Sequence, residues 1–351
     1  MKDKNRYWDC IDQALEAEHG GRTDEALAWL DEALKAHPDG AEAHNTRGQI
    51  LWDEGKFDEA LAEFELATKA DPKLVQAHLN RAELLVEEFA AYDESIAHCD
   101  RMLAGEGDLP RLDRSTEAEV YYLKSKALFY KDELDGSLFL VRRAIKVIKA
   151  IKTADEHAVF RAFEGQILFE MGRFEESRRQ LERAVSIEPE AAHSLYYLGL
   201  VLERLGAAEE SERAFARAAA IDAEHYPIPT SISEEAFERA AREALDNLPR
   251  SIREEAERVP LLIEDFPSED LIEHEDVSPQ ILGIFIGVPR TEAAATDQPS
   301  DLDRIILFKR NLEKACRDEQ ELVEEIRRTV THEVGHYLGL DEDDLERLGI
   351  A

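Results

Sequence analysis

From about residue 7 to residue 224 the sequence repeats with a period of 34 residues, and no other feature limits the possible folds as strongly. Small residues recur at the eighth and twentieth positions of each unit, with an apolar residue near the twenty-fourth. The clearest unit runs from Ala41 to Leu74 and carries Gly48, Leu51, Gly55, Phe57, Ala60, Phe64, Ala67 and Pro72. The unit before it has Ala14, Ala17, Gly21, Ala26, Leu30, Ala33 and Pro38, and the unit from Ala158 has Gly165, Leu168, Gly172, Phe174, Ser177, Leu181, Ala184 and Pro189. The unit from Ala192 repeats the pattern with Gly199, Leu202, Gly206, Ser211, Phe215 and Ala218. Two looser units between them, marked by Ala82, Tyr92, Ser95 and Met102 and by Ser125, Leu128, Ser137 and Ala144, bring the number to about six. Small residues let two antiparallel helices approach closely, large apolar ones fill the groove of the next unit, and proline ends the second helix.

These are the positions at which the tetratricopeptide repeat places its small and apolar residues, and residues 7 to 224 resemble that family. The resemblance implies an α-solenoid over residues 1–226 whose concave groove binds a peptide or partner protein. It implies binding rather than chemistry, and a solenoid can equally serve only to orient a C-terminal domain. Departures gather in the middle: one extra residue near Phe89 to Tyr92, and an insertion from Gly105 to Thr116. The second helix of the fourth unit is expected to run on through Ala144 to Lys152, where three lysines make the one distinctly basic stretch.

Periodicity stops after Ile221, and His225-Tyr226-Pro227-Ile228-Pro229-Thr230 reads as a linker because its two prolines oppose helix continuation. A second domain, residues 231–351, is expected beyond it. Ser233 caps a helix with Phe237, Ala240, Ala241, Ala244 and Leu245 on one face, and a short helix begins at Ser251. Three apolar runs, Val259 to Ile263, Ile281 to Val288 and Arg304 to Phe308, read as strands. Pro289 to Asp303 has almost no large apolar side chains and is expected as a surface loop, and a last long helix spans Glu319 to Leu338.

That helix holds Thr331-His332-Glu333-Val334-Gly335-His336, followed by Tyr337-Leu338-Gly339-Leu340-Asp341-Glu342. Residues four apart share a helix face, so His332 and His336 can reach one tetrahedral zinc ion. Glu333, turned by about 100 degrees, faces the attacking water as general base rather than the ion. A third ligand is still required. Gly339 can adopt the left-handed conformation that ends a helix, which puts Glu342 in reach; Asp341, Asp343 and Asp344 could replace it if the turn differs by one residue. His274, between Glu273 and Glu275, reads as a surface loop histidine.

From Phe237 onward the chain, including Gly287-Val288-Pro289, Asp303 to Phe308, Arg327 to Val330 and the HExGHxxGLDE stretch, resembles the minimal zincin-like metallopeptidase domain of bacterial proteins. The resemblance implies a compact α/β domain, zinc held by His332 and His336 with an acidic third ligand at Glu342, and Glu333 as the base. No methionine follows residue 171, so the methionine turn of the metzincins is missing. Few residues follow Glu342, so substrate subsites are expected from the strands, the 289–303 loop or the repeat groove.

The net charge of −35 disfavours nucleic acid and anionic membrane as partners. Cys10, Cys99 and Cys316 stand in no CxxC spacing and are expected reduced and buried. With no apolar leader after Met1 and no apolar run longer than Ile281 to Val288, the expected location is the cytoplasm. The sequence as a whole predicts a mainly α protein: a zinc-dependent peptidase whose repeats recruit a partner or substrate protein. The alternative is a non-catalytic repeat adaptor with a structural zinc site, and Glu333 separates the two because a structural site needs no base.

Overall fold

The computed structural model describes residues 2–151, 157–275, 277–290 and 303–340. The chain packs as two compact units, residues 1–167 and 168–351.

The first unit contains α1 (Lys2–His19), α2 (Thr23–Ala36), α3 (Ala41–Asp53), α4 (Phe57–Ala70), α5 (Val75–Glu87), α6 (Tyr92–Ala104), α7 (Arg114–Tyr130) and α8 (Leu134–Lys149). α9 (Ala158–Glu170) crosses from the first unit into the second. From α1 to α8 the helices pair in sequence order as hairpins, α1 with α2, α3 with α4, α5 with α6 and α7 with α8, and each of the first three packs on the next, as the period requires. Close approach is enforced at the eighth position. A Cβ built on Gly48 would stand 2.6 Å from the ring of Phe64, which is itself fully buried.

Where the twentieth position is serine rather than alanine, its hydroxyl ties the two helices directly. Ser95 Oγ donates to the carbonyl of Ala82 at 2.9 Å. Ser125 and Ser137 each donate to the other's carbonyl, at 2.7 and 2.8 Å. This exchange explains how the looser fourth unit keeps the hairpin without the usual glycine.

The extra residue before α6 is absorbed at Ala90, whose φ of 48° is left-handed. The stretch from Gly105 begins with that glycine as a left-handed end to α6 and finishes with Asp113 capping α7 through the Thr116 amide. The expected run of α8 through Ala144 to Lys152 is followed as far as Lys149. The helix ends at Lys149, because the amides of Ala150 and Ile151 turn back to carbonyls three residues behind them; Lys152 lies outside the described residues. All three cysteines are free and buried.

The second unit continues the repeats with α10 (Phe174–Ile187), α11 (Ala192–Arg204) and α12 (Ala208–Ile221). Gly199 meets Phe215 there as Gly48 meets Phe64, with a built Cβ 2.7 Å from the ring, and Ser211 Oγ donates to the Gly199 carbonyl. After the linker come α13 (Glu234–Asp246), α14 (Arg250–Ala256), β1 (Leu261–Glu264), α15 (Glu269–Glu275), β2 (Gly283–Ile286), β3 (Arg304–Phe308), α16 (Lys309–Ala315) and α17 (Glu319–Leu338). The three strands form one sheet in the order β1-β3-β2, with β1 parallel and β2 antiparallel to β3.

Ile305 and Leu307 of β3 pack with Phe237, Ala240 and Ala241 of α13 and with Leu322, Ile326, Val330 and Val334 of α17. α17 is therefore held by the sheet and by α13. α15 and α16 were not expected from the sequence. His274 sits on the exposed side of α15, with its Nδ1 2.8 Å from the Asp270 carbonyl, rather than in a loop.

The last repeats and the small domain share contacts inside this unit. Ile272 of α15 is buried among Phe169, Phe174, Leu198 and Leu202 and lies 3.2 Å from a Cβ built on Gly172. The Arg204 guanidinium stacks on both Phe174 and Phe266 and donates to the Pro267 carbonyl at 2.7 Å. Lys314 reaches Glu203 at 2.7 Å, and Glu170 accepts from Ser278 and Gln280. Among the described residues no helix is long and apolar enough to cross a membrane.

Candidate metal centre

α17 begins at Asp318, whose carboxylate accepts from the amides of Gln320 and Glu321 at 2.9 Å each. It buries Leu322, Ile326, Val330 and Val334 at helical spacing, which fixes its rotation about its own axis. It ends at Gly339, with φ of 83°. The Gly339 amide returns to the carbonyl of His336 and the Leu340 amide to that of Gly335, both at 3.0 Å, which is the Schellman arrangement.

With rotation and end both fixed, His332 and His336 fall in the last two turns, one above the other. Their Nε2 atoms converge to 3.0 Å, and the rings meet edge to face with centroids 4.6 Å apart. Bonds of about 2.0–2.1 Å at a tetrahedral angle place two zinc-bound nitrogens about 3.3 Å apart, so this pair fits two corners of a zinc site.

Glu333 points elsewhere. It is 6% exposed, against the half-buried histidines. Gly283, the first residue of β2, lies over it. A Cβ built there would come 2.7 Å from Thr329 Cγ2 and 3.3 Å from Glu333 Cγ. The glycine thus lets the edge strand come down on the helix at the carboxylate. Gly283 was not among the residues expected at the site, although an isolated glycine inside the apolar run Ile281 to Val288 is a signal of close backbone approach.

Among the described residues no group of three or more His, Cys, Asp and Glu side chains gathers to hold a metal. Glu342 and its alternatives Asp341, Asp343 and Asp344 lie outside the described residues, as does most of the 289–303 loop. Tyr337 turns into the core beside Phe285; its hydroxyl is buried with no hydrogen-bond partner among the described residues, and burial raises its pKa.

Paired helices repeated at a fixed period, followed by a small sheet with two histidines on one helix face, define a repeat solenoid joined to a metallopeptidase-type domain. Family comparison agrees on both parts. Residues 256–350 match the zincin-like metallopeptidase family, and residues 11–75, 45–108 and 164–226 match the tetratricopeptide repeat. The chain is a tetratricopeptide-repeat array followed by a zincin-like metallopeptidase domain.

Solved structures similar in fold are repeat proteins. PilF of Pseudomonas aeruginosa shares 13% identity and a TM-score of 0.52, over 68% of this chain and 99% of its own. PilW, described as a widely conserved type IV pilus biogenesis factor, shares 17% identity and a TM-score of 0.52, over 61% of this chain and 92% of its own. No curated protein matches.

Proposed function

We propose that the protein is a zinc-dependent peptidase, with His332 and His336 as ligands, Glu342 as the third, Glu333 as general base, and the repeat array as the binding site for a partner or substrate protein. The observation that carries this reading is the pair of Nε2 atoms 3.0 Å apart beside a buried carboxylate that a glycine allows the edge strand to cover. Zinc, when bound there, supplies the Lewis acid that activates water and polarises the scissile carbonyl.

The chain's own residues do the rest. Glu333 takes the proton of the attacking water and returns it to the leaving amine, and its burial keeps competing solvent away. β2 is an edge of the sheet beside Glu333, so an extended substrate can pair along it. The repeat domain is taken as residues 1–226, the peptidase domain as residues 231–351, and the location as the cytoplasm.

The test is zinc stoichiometry together with cleavage of a peptide library, comparing wild type with Glu333→Gln. One zinc per chain in both proteins is expected, with cleavage reduced at least about a hundredfold in the variant. Zinc binding without cleavage by wild type would instead leave a repeat adaptor whose metal only stabilises the domain.

A further inference from the structure

Within the first unit, the first helices of successive repeats make side-chain contacts along one face. Asn80 of α5 donates to Asn45 of α3 at 3.0 Å. Lys126 of α7 is held by Glu83, at 3.9 Å, and by Glu87 of α5. Tyr122 of α7 packs on Phe160 and Phe163 of α9, with centroids 4.9 and 5.4 Å away.

Lys126 shows what the face accepts. Its ammonium sits 5.6 Å from the centre of the Tyr122 ring and beside two carboxylates, so a cation there gains from ring and charge together. The face continues past this point with exposed side chains, Tyr130 among them although one side of its ring stacks on Tyr92. Tyr130 and Val159 are exposed, and Glu42 and Glu119 make no ion pair among the described residues. Loss of water is the largest cause of the raised pKa at Glu42, Glu83 and Glu119 alike; Lys126 offsets part of it at Glu83 and His157 part of it at Glu119, where the Glu83 charge adds to it. A carboxylate partly stripped of water is stabilised by an incoming cation.

We propose that this face binds a basic segment of a partner protein, in which a Lys or Arg side chain enters beside Glu83 and Glu119 and separate apolar residues of the same segment cover Tyr130 and Val159. The proposal rests on the reading of the repeat array as a binding site and adds the chemistry of the ligand. The charge of −35 draws such a segment in from a distance, and salt weakens that attraction.

The test uses the full chain carrying Glu333→Gln, so that peptides survive, and fluorescein-labelled peptides in which Lys and Arg alternate with Leu and Phe. A matching set replaces the basic residues with Glu, and a third with Ser. Saturable binding of the basic set is expected, weakened about tenfold by Glu83→Gln with Glu119→Gln and less than about twofold by Glu59→Gln with Glu175→Gln on second helices. Thermal melting confirms that both double variants remain folded.

Equal weakening by the two pairs means general charge attraction and overturns the proposal. Binding of the Ser or Glu set that Tyr130→Ala weakens and Glu83→Gln with Glu119→Gln does not overturns the basic ligand but keeps the array as a binding site. Binding of no peptide, with a concentration-dependent dimer that Val159→Asp dissolves, assigns the face to a second copy and overturns it also.

Discussion

At the scale of single residues, glycine and histidine carry the most specific consequences. Gly283→Val puts methyl groups where Thr329 and Glu333 already lie, so the edge strand or the carboxylate must shift. The expected outcome is at least about a tenfold fall in peptide cleavage with zinc stoichiometry retained, because the two histidines keep their places on α17.

His78 and His98 provide a second test. Arg101 donates to His98 Nδ1, His98 Nε2 lies 3.2 Å from His78 Nδ1, and His78 Nε2 lies 3.0 Å from the Pro72 carbonyl. This chain is consistent when both rings are neutral, and a further proton breaks one of its links. Burial, aided by Arg81 and Arg101, lowers both pKa values, that of His98 to about 3. The folded value lies below the unfolded one near 6.5, so this contribution is complete above about pH 6.5. For His98 it falls as pH drops from there toward 3, by at most about 1.4 kcal/mol per pH unit, and His78 acts in the same direction. Melting temperature between pH 7 and 5 should fall less steeply in His98→Gln than in wild type, and parallel curves would refute the account.

At the scale of elements, the hairpins depend on small residues facing large ones. Gly48→Ala drives a methyl into the Phe64 ring and should cost about 1–3 kcal/mol, with Phe64→Leu restoring part of it, as urea denaturation would read. Such elements were legible because each position recurs. Gly48 with Phe64 and Gly199 with Phe215 are one rule seen twice, and α17 was legible from end to end because its cap, apolar stripe and terminal glycine all agree.

α15 and α16 were not legible. Each is seven residues long and buries one large aliphatic side chain, Ile272 or Leu312, too short a span for a period to show. Their helicity comes from what Ile272 and Leu312 pack against, which a single sequence does not display. The histidine pair could be read from spacing alone, whereas the role of Gly283 needed the crossing of β2 over α17.

At the scale of the whole molecule, the small domain is built into its unit together with the last repeats. Ile272→Asp would place a carboxylate among Phe169, Phe174 and Leu198 and should lower stability by at least about 2–4 kcal/mol. Calorimetry of the full chain should show a shift of several degrees, and limited proteolysis should cut first near residues 266–280. An unchanged melting profile would mean that the last repeats and the small domain are coupled less tightly than their packing implies.

The buried cysteines add a practical consequence. Burial pushes the Cys99 thiol up to about 12 and that of Cys316 to about 11, and Cys10 is 4% exposed, so none offers a ready nucleophile to a labelling reagent. A single cysteine introduced at Val159 would then take a maleimide dye selectively, and the colour or lifetime of that dye would follow occupancy of the repeats in real time while the histidines remain untouched.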